Sequence, residues 1–279
     1  MRSEEQQKVI MEGVVVFTPE WRLLAHEAGL ASYSLRGGLA SLRKANYADQ
    51  QIYYGGFFQY TIGLERVMKL ALIIDYLVEN GTLPTDRQFA KKFGHKLTDL
   101  LTGVADVRSR LDPSARVWEL PDPDMTDPAM SALSDFAIGS RYYNIDVLTG
   151  KAATQNPVDR WFSEIGRPLI AKRKQPWKDI QWAHALDSAV GSECSILFET
   201  EDGTLVDTFA AAARAAHESE YVAKEGTFLC ARIARHAISV LVARGHQVPR
   251  TFQIPNLVEF FYIFMNSDSY LKRQKTFAG

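Results

Sequence analysis

Residues Tyr54–Gly81 have the sequence YGGFFQYTIGLERVMKLALIIDYLVENG, and the rest of the chain is interpreted outward from them. Side chains recur in this stretch at steps of three and four residues, which is the period of an α-helix. One row is apolar or aromatic throughout: Tyr60, Leu64, Val67, Ala71, Ile74 and Val78. The second row is Phe58, Ile62, Glu65, Lys69, Leu72 and Tyr76. A helix apolar over so much of its circumference is predicted to be buried between neighbouring helices.

Two charged residues interrupt the second row. Glu65 and Lys69 are four residues apart, so a helix brings their side chains together. Opposite charges that leave water need such pairing. The sequence therefore predicts an ion pair at this position, and Asn80-Gly81, which accept a positive φ, predict the end of the helix.

The composition of the chain bounds its class. Its 279 residues are 46% hydrophobic and 23% charged, with a net charge of −1 and a pI of about 6.6, as in ordinary soluble proteins. The near-neutral net charge gives no overall positive field that would indicate nucleic-acid binding, but it does not exclude a local basic patch. Cys194 and Cys230 are far apart, which argues against a zinc site or a disulfide framework. A reduced, cytoplasmic protein without a secretion signal or a membrane span is expected.

The flanking sequence predicts further helices. Thr18-Pro19-Glu20 is typical of a helix start, with that helix ending near residue 28 and another covering about 30–45, with a possible break at Gly37-Gly38. Steps of three and four from Phe89 to Leu111 predict an amphipathic helix, with Gly94 as a kink or as the start of a new helix. The second half is also expected to be helical, over about 156–171, 176–190, 207–223, 224–243 and 254–266.

Two segments between these helices are expected to be irregular. Four prolines in or next to 112–127 predict a long loop in which Trp118 is the anchor. Asp202-Gly203 between apolar runs is compatible with a β-hairpin or with a helix that ends at Gly203. The predicted fold class is all-α, a multi-helix bundle with a domain at 1–150 and a second helical region at 151–279 packed on it.

Common catalytic motifs are missing from the sequence. It has no glycine-rich phosphate loop, no Gly-x-Ser-x-Gly elbow, no His-Glu-x-x-His and no Glu-x-x-His pair. His217-Glu-Ser-Glu220 is more often a chance cluster than a metal site. No metal and no cofactor are therefore expected.

Three short motifs, taken in order, resemble the HEPN superfamily of all-α domains, many of which are ribonucleases in toxin and phage-defence systems. They are the helix around Glu65 and Lys69, the segment Gly94-His95-Lys96-Leu97, and Ser140-Arg141-Tyr142. The resemblance covers about 54–147, a third of the chain. It implies a HEPN-like N-terminal half and a dimer that shares a cleft.

The resemblance also implies which residues act on RNA. The family signature is an arginine followed by an aromatic or apolar residue, with a histidine four to six residues later. Arg141-Tyr142 matches the first half, but Asp146 occupies the histidine position. A carboxylate can accept a proton but is a poor proton donor at neutral pH, so the resemblance implies the fold more strongly than the activity.

Other residues are candidates for the missing acid–base group. His95 is one, with the alternative of a solvated or capping histidine, and Arg232 and His236 lie one helical turn apart on a single face. Glu65 and Lys69 are interpreted mainly as a structural ion pair beneath the site.

Arg141 itself has two interpretations. It could bind phosphate while the neighbouring rings stack, with Tyr142 and Asn144 as supporting residues, or it could form an interface salt bridge. The first makes Arg141, His95 and Asp146 the candidate catalytic set.

The expected function is RNA or nucleotide binding, with metal-independent ribonuclease activity in a bacterial toxin or defence setting. A homodimer and a protein partner are expected, without membrane attachment. The alternative is a catalytically inactive helical module that dimerises or binds a partner, which Asp146 in the histidine position favours.

Overall fold

A computed structural model describes residues 17–85, 94–151, 155–173, 177–190 and 197–277. The α-helices are α1 (Pro19–Leu42), α2 (Gln51–Asn80), α3 (Leu97–Ser109), α4 (Pro123–Ile138), α5 (Tyr143–Leu148), α6 (Pro157–Trp161), α7 (Arg167–Ala171), α8 (Trp177–Val190), α9 (Phe209–Gly245), α10 (Leu257–Phe261) and α11 (Asp268–Arg273). A 3-10 turn at Ser140–Tyr142 precedes α5, and a π-helical turn at Phe162–Gly166 joins α6 to α7. Two short strands, β1 (Phe198–Glu199) and β2 (Leu205–Val206), pair antiparallel. The predicted all-α, multi-helix fold is confirmed.

Helix α2 is the central helix, as its sequence predicts. It ends where Gly81 adopts a φ of 69° and donates its N–H to the Leu77 carbonyl at 2.8 Å. The apolar row is buried, from Tyr60 to Ile74. The second row is only partly buried: Leu72 is buried, but Phe58 is 46% exposed, so the expectation that both rows are buried is wrong. The reason is that α1, α3 and α9 pack around only part of the circumference of α2.

Helix α1 replaces two predicted helices, and Gly37-Gly38 does not interrupt it. A Cβ atom on Gly38 would lie 2.4 Å from the Tyr60 backbone nitrogen. The glycine therefore allows α1 and α2 to approach closely and does not break the helix. Glycine in a helix costs only about 1 kcal/mol relative to alanine, which such a contact offsets.

Helix α9 also replaces two predicted helices and extends over 37 residues. It packs along α2, where the Tyr60 hydroxyl donates to the Cys230 carbonyl at 2.8 Å. The main core therefore includes residues from before and after residue 150. Cys230 is buried within it, whereas Cys194 lies outside the described residues.

The length and composition of α9 would also suit a membrane span, but 83% of its most apolar window is buried inside the protein. A buried core helix passes the same test, so this is weak support for a membrane span. The cytoplasmic location and the lack of a membrane segment stay predictions.

The helix predicted from Phe89 to Leu111 is not continuous among the described residues, and a new helix begins just after Gly94, which is one of the two alternatives. Residues 94–96 are not helical, and α3 begins at Leu97, whose N–H donates to the Ser134 hydroxyl at 3.0 Å. Phe89 and Phe93 lie outside the described residues. As a result, His95 lies on a non-helical segment just before α3.

The proline-rich loop is shorter than predicted, because Asp122 caps α4 and Pro123 occupies its first turn. Trp118 anchors this loop to α9 through three contacts. Its N–H donates to the Ser239 hydroxyl at 3.1 Å, and its carbonyl accepts from His236 Nδ1 at 2.7 Å. Its ring lies 3.8 Å from the guanidinium carbon of Arg235, which is buried. The predicted anchoring role of Trp118 thus has a clear physical basis.

Of the two alternatives around Gly203, the structure has the hairpin, with Gly203 at a φ of 75°. The turn inserts Glu201 between α2 and α9, where the carboxylate accepts hydrogen bonds from Tyr53, at 3.2 Å, and from Ser219. Burial raises the pKa of Glu201, and burial together with Glu201 raises that of Tyr53. This contact fixes the hairpin to the two longest helices.

Candidate functional site

Three of the predicted site residues meet at the surface of α2. Lys69 Nζ donates to Glu65 Oε1 at 2.7 Å, which confirms the predicted ion pair. His95 Nδ1 lies 2.8 Å from the same oxygen and 3.5 Å from Lys69 Nζ. A single carboxylate oxygen therefore holds a cation and an imidazole side by side.

The exposures of these side chains differ in a way that matters for chemistry. Glu65 and Lys69 are 21% and 22% exposed, whereas His95 is 80% exposed. With Nδ1 donating to the carboxylate, Nε2 is the ring atom left for another partner, and no described residue bonds it. A carboxylate that fixes one imidazole nitrogen while the other is accessible is the usual arrangement of a histidine that transfers protons.

Arg141 lies in the 3-10 turn before α5 and is exposed. Its guanidinium carbon is 4.9 Å from the centre of the Tyr142 ring, and Tyr142 is itself half exposed. No ion pair to Arg141 occurs among the described residues. Within the described residues Arg141 therefore has no carboxylate partner, and both interpretations, phosphate binding and an interface salt bridge, stay predictions.

Asp146 and Asn144 follow on α5 but have other contacts. Asp146 Oδ2 accepts from Lys151 Nζ at 2.9 Å and is only 21% exposed. Asn144 adjoins Tyr54 of α2: burial and Tyr143 raise the pKa of Tyr54, and Asn144 acts in the opposite direction. Asp146 is therefore engaged in an ion pair with Lys151, which lies just after the C-terminal end of α5.

The two residues of α2 that these segments adjoin, Glu65 and Tyr54, lie on one face of the helix. Glu65, which His95 contacts, and Tyr54, which Asn144 adjoins, are eleven residues apart, or about 16 Å along a helix that rises 1.5 Å per residue. Among the described residues, no hydrogen bond or ion pair joins Arg141 to His95. The expectation that Arg141 and His95 share one pocket therefore stays a prediction.

Arg232 and His236 face different surroundings despite their spacing. Arg232 Nε lies 3.8 Å from Asp268, and its guanidinium is near the Phe228 ring. His236 is buried and bonds the Trp118 carbonyl. The two side chains therefore do not share a site, and His236 is part of the core.

The environment of His236 predicts a dependence of stability on pH. Burial lowers the pKa of His236, and Arg108 lowers it further, while the Trp118 carbonyl and Glu119 act in the opposite direction. In the unfolded chain His236 binds its proton as the pH falls below about 6.5, whereas in the folded protein it does so only at a lower pH. Just below about pH 6.5 the unfolded state therefore holds more protons than the folded state. The contribution of neutral His236 to the free energy of unfolding is therefore complete above about pH 6.5, and it decreases as the pH drops toward the folded-state pKa.

A His236→Gln variant keeps a donor for the Trp118 carbonyl and does not titrate. We expect wild type to lose more stability than this variant between about pH 7 and about pH 5, measured by urea unfolding. His246→Gln, at an exposed histidine, is the control and should follow wild type. Parallel curves for wild type and His236→Gln would contradict the prediction.

A buried ion network was not anticipated from the sequence. Asp75 of α2 accepts from Arg244 Nε at 2.9 Å and from Arg110 Nη2 at 2.7 Å, and Arg244 also pairs with Glu79. The only signal was an aspartate in an otherwise apolar part of the helix. The network joins α2 to α9 and is structural.

No cluster of three or more metal-ligating side chains occurs among the described residues. Comparisons with family models, with curated proteins and with solved structures return no match. The resemblance to the HEPN superfamily therefore stays a prediction that rests on the three short motifs.

Proposed function

We propose that this protein binds RNA and cleaves it without a metal ion, with His95 as the acid–base group. The observation that carries the proposal is the contact of His95 Nδ1 with Glu65 at 2.8 Å, next to Lys69, at an exposed position. The predicted candidate Asp146 has a weaker claim because Lys151 occupies its carboxylate.

The chemistry follows from the groups present. His95 Nε2 accepts the proton of an RNA 2′-hydroxyl, O2′ bonds to the adjacent phosphorus, and the bond from phosphorus to O5′ breaks. The proton then returns to O5′, which leaves a 2′,3′-cyclic phosphate and a free 5′-hydroxyl. A positioned general base typically contributes about 10²- to 10⁴-fold to such a rate. Glu65 orients the ring through its contact with Nδ1.

Cations supply the remaining requirement, which is neutralisation of the phosphate. Lys69 lies 3.5 Å from the imidazole, so it can approach the oxygens of the reacting group. Arg141, whose charge is not paired among the described residues, can hold a second phosphate through its planar pair of donors. Because the formal net charge of the chain is −1, no overall positive field attracts RNA, and the attraction depends on local cations such as Lys69 and Arg141.

A direct test uses a labelled single-stranded RNA with excess chelator. Wild-type protein should release fragments that end in a 2′,3′-cyclic phosphate, and the same oligonucleotide with 2′-deoxyribose throughout should remain intact. Cleavage of both strands, or cleavage that requires an added divalent ion, would overturn the 2′-hydroxyl mechanism. Intact RNA under all conditions would overturn the proposed activity.

A second candidate function, partner binding without catalysis, is favoured by the segment 138–148. This segment carries apolar side chains that are more than half exposed: Ile138, Ile145 and Leu148. Helix α5 has no buried residue at all. In that case wild type and His95→Ala would bind the same partner equally, and neither would cleave RNA.

A further inference from the structure

We propose that Ser134 is a positioning residue for His95: its buried hydroxyl fixes the backbone segment that carries the imidazole and so holds the ring against Glu65. This inference rests on the proposed function, because it concerns the same acid–base group. It depends on the hydrogen bond from the Leu97 N–H to Ser134 Oγ, at 3.0 Å, and on how little else holds His95 in place.

The imidazole of His95 is not fixed by packing, because the side chain is 80% exposed. Its ring contacts Glu65 and Lys69 and, among the described residues, bonds to no other group. On the N-terminal side, a Cβ atom added to Gly94 would have no neighbour within 4 Å, so the chain there lies in open space. The position of the ring therefore depends on the backbone that follows it.

That backbone leads into α3, and the local sequence does not cap this helix. The first N–H groups of a helix have no partner within it, and a serine, threonine, aspartate or asparagine usually supplies one. Here Lys96 occupies the N-cap position in an extended conformation, and its side chain makes no capping hydrogen bond. Ser134 of α4 instead accepts from the Leu97 N–H. Leu97 is two residues from His95, at most about 7 Å of chain, so this bond constrains the backbone of His95 directly.

The Ser134 hydroxyl is itself well fixed relative to the site. Ser134 is 1% exposed, and Leu97 is fully buried. Helix α4 packs on both α2 and α3. Two residues after Ser134, the Phe136 ring contacts that of Phe57 on α2, with ring centres 5.4 Å apart. Because Glu65 also lies on α2, His95 is held between two points whose separation is set by the packing of α4 on α2.

Removal of the hydroxyl should displace His95. In Ser134→Ala the Leu97 N–H would be buried without a partner, which is costly, so the segment should move until this group reaches water or another acceptor. A shift of about 1 Å in a catalytic group can lower a rate by about 10²-fold. We expect Ser134→Ala to lower kcat for RNA by about 10- to 10²-fold. KM should stay close to that of wild type, because a buried hydroxyl does not touch RNA.

Nuclear magnetic resonance tests the position of the ring without reference to cleavage. The partner of one imidazole nitrogen determines which nitrogen carries the proton, so the contact with Glu65 should keep the proton of the neutral ring on Nδ1. We would record the ring ¹⁵N shifts of the full chain at about pH 9, above the usual range of imidazole titration. The chain has six histidines, and the spectrum of His95→Ala identifies the signal.

Wild type should show the Nδ1–H form of His95, and Glu65→Ala, which removes the acceptor, gives the signal of a ring that is not held. Ser134→Ala should shift the His95 signal toward that of Glu65→Ala. Ser134→Cys, which fills the same space but offers only a weak acceptor, should shift it in the same direction.

Ser239→Ala is the matched control. Ser239 is also 1% exposed and also accepts a backbone N–H from a distant segment, that of Trp118 at 3.1 Å. The two alanine variants should therefore lower the melting temperature to a similar degree, but Ser239→Ala should keep the wild-type His95 signal and kcat.

An unchanged His95 signal in Ser134→Ala would overturn the inference, whatever the rate of RNA cleavage. An equal change in Ser239→Ala would also overturn it, because the effect would then follow from a general loss of stability. If wild type does not cleave RNA, the proposed function fails, and the ¹⁵N shifts still decide whether Ser134 positions the ring.

Discussion

His95→Ala is expected to lower the rate of RNA cleavage by about 10²- to 10⁴-fold, the usual contribution of a positioned acid–base group. The imidazole is the one group of the Glu65–Lys69–His95 cluster that is widely exposed, and Glu65 holds its Nδ1 at 2.8 Å. Removing an 80% exposed side chain from a non-helical segment takes away little packing. The melting temperature should therefore stay close to that of wild type.

The matched control is His184→Ala, which makes the same substitution at an exposed histidine of α8. It should cleave RNA at the wild-type rate. Equal cleavage by His95→Ala and wild type would remove His95 from the mechanism. A parallel loss in His184→Ala would indicate that the effect is not specific to the cluster.

Asp75→Ala is expected to destabilise the fold by about 3–5 kcal/mol, the usual cost of removing one partner of a buried ion pair. Asp75 is the buried carboxylate that pairs with Arg244 of α9, and Arg244 is only 4% exposed. Without Asp75 the guanidinium remains inside the protein with only the half-exposed Glu79 as an ionic partner. Urea unfolding at neutral pH measures the loss as a lower midpoint.

Glu79→Ala provides the comparison, because it removes a half-exposed carboxylate from the same arginine. Exposed pairs contribute about 0–1 kcal/mol, so this variant should lose much less stability. A loss in Asp75→Ala no larger than that in Glu79→Ala would show that the buried carboxylate is not the main partner of Arg244.

The prediction of the fold was most accurate for α2, because the residues within this helix are sufficient to predict it. The body of α2 followed from its period and its end from Gly81, because both are local properties of the chain, whereas its start at Gln51 was not predicted. Helices α1 and α9 were predicted as two helices each, since glycines and polar residues read locally as breaks. Contact with α2 stabilises the continuous helices, as the close approach at Gly38 illustrates.

The site was predicted unevenly for a related reason. The Glu65–Lys69 pair follows from a spacing of four residues within one helix. The contact of His95 with Glu65 spans thirty positions in the sequence and depends on how the chain returns to α2 before α3. Likewise, nothing local distinguishes the exposed Phe58 from the buried Phe57.

By itself, the sequence determined that this protein is helical, that α2 is its central helix, and that Glu65 and Lys69 pair. Those properties depend on residues within one or two turns of each other, where backbone geometry alone sets the distances. Only the tertiary structure decided that His95 joins the pair and that His236 is buried. Such contacts depend on the packing of distant helices, which no local spacing encodes.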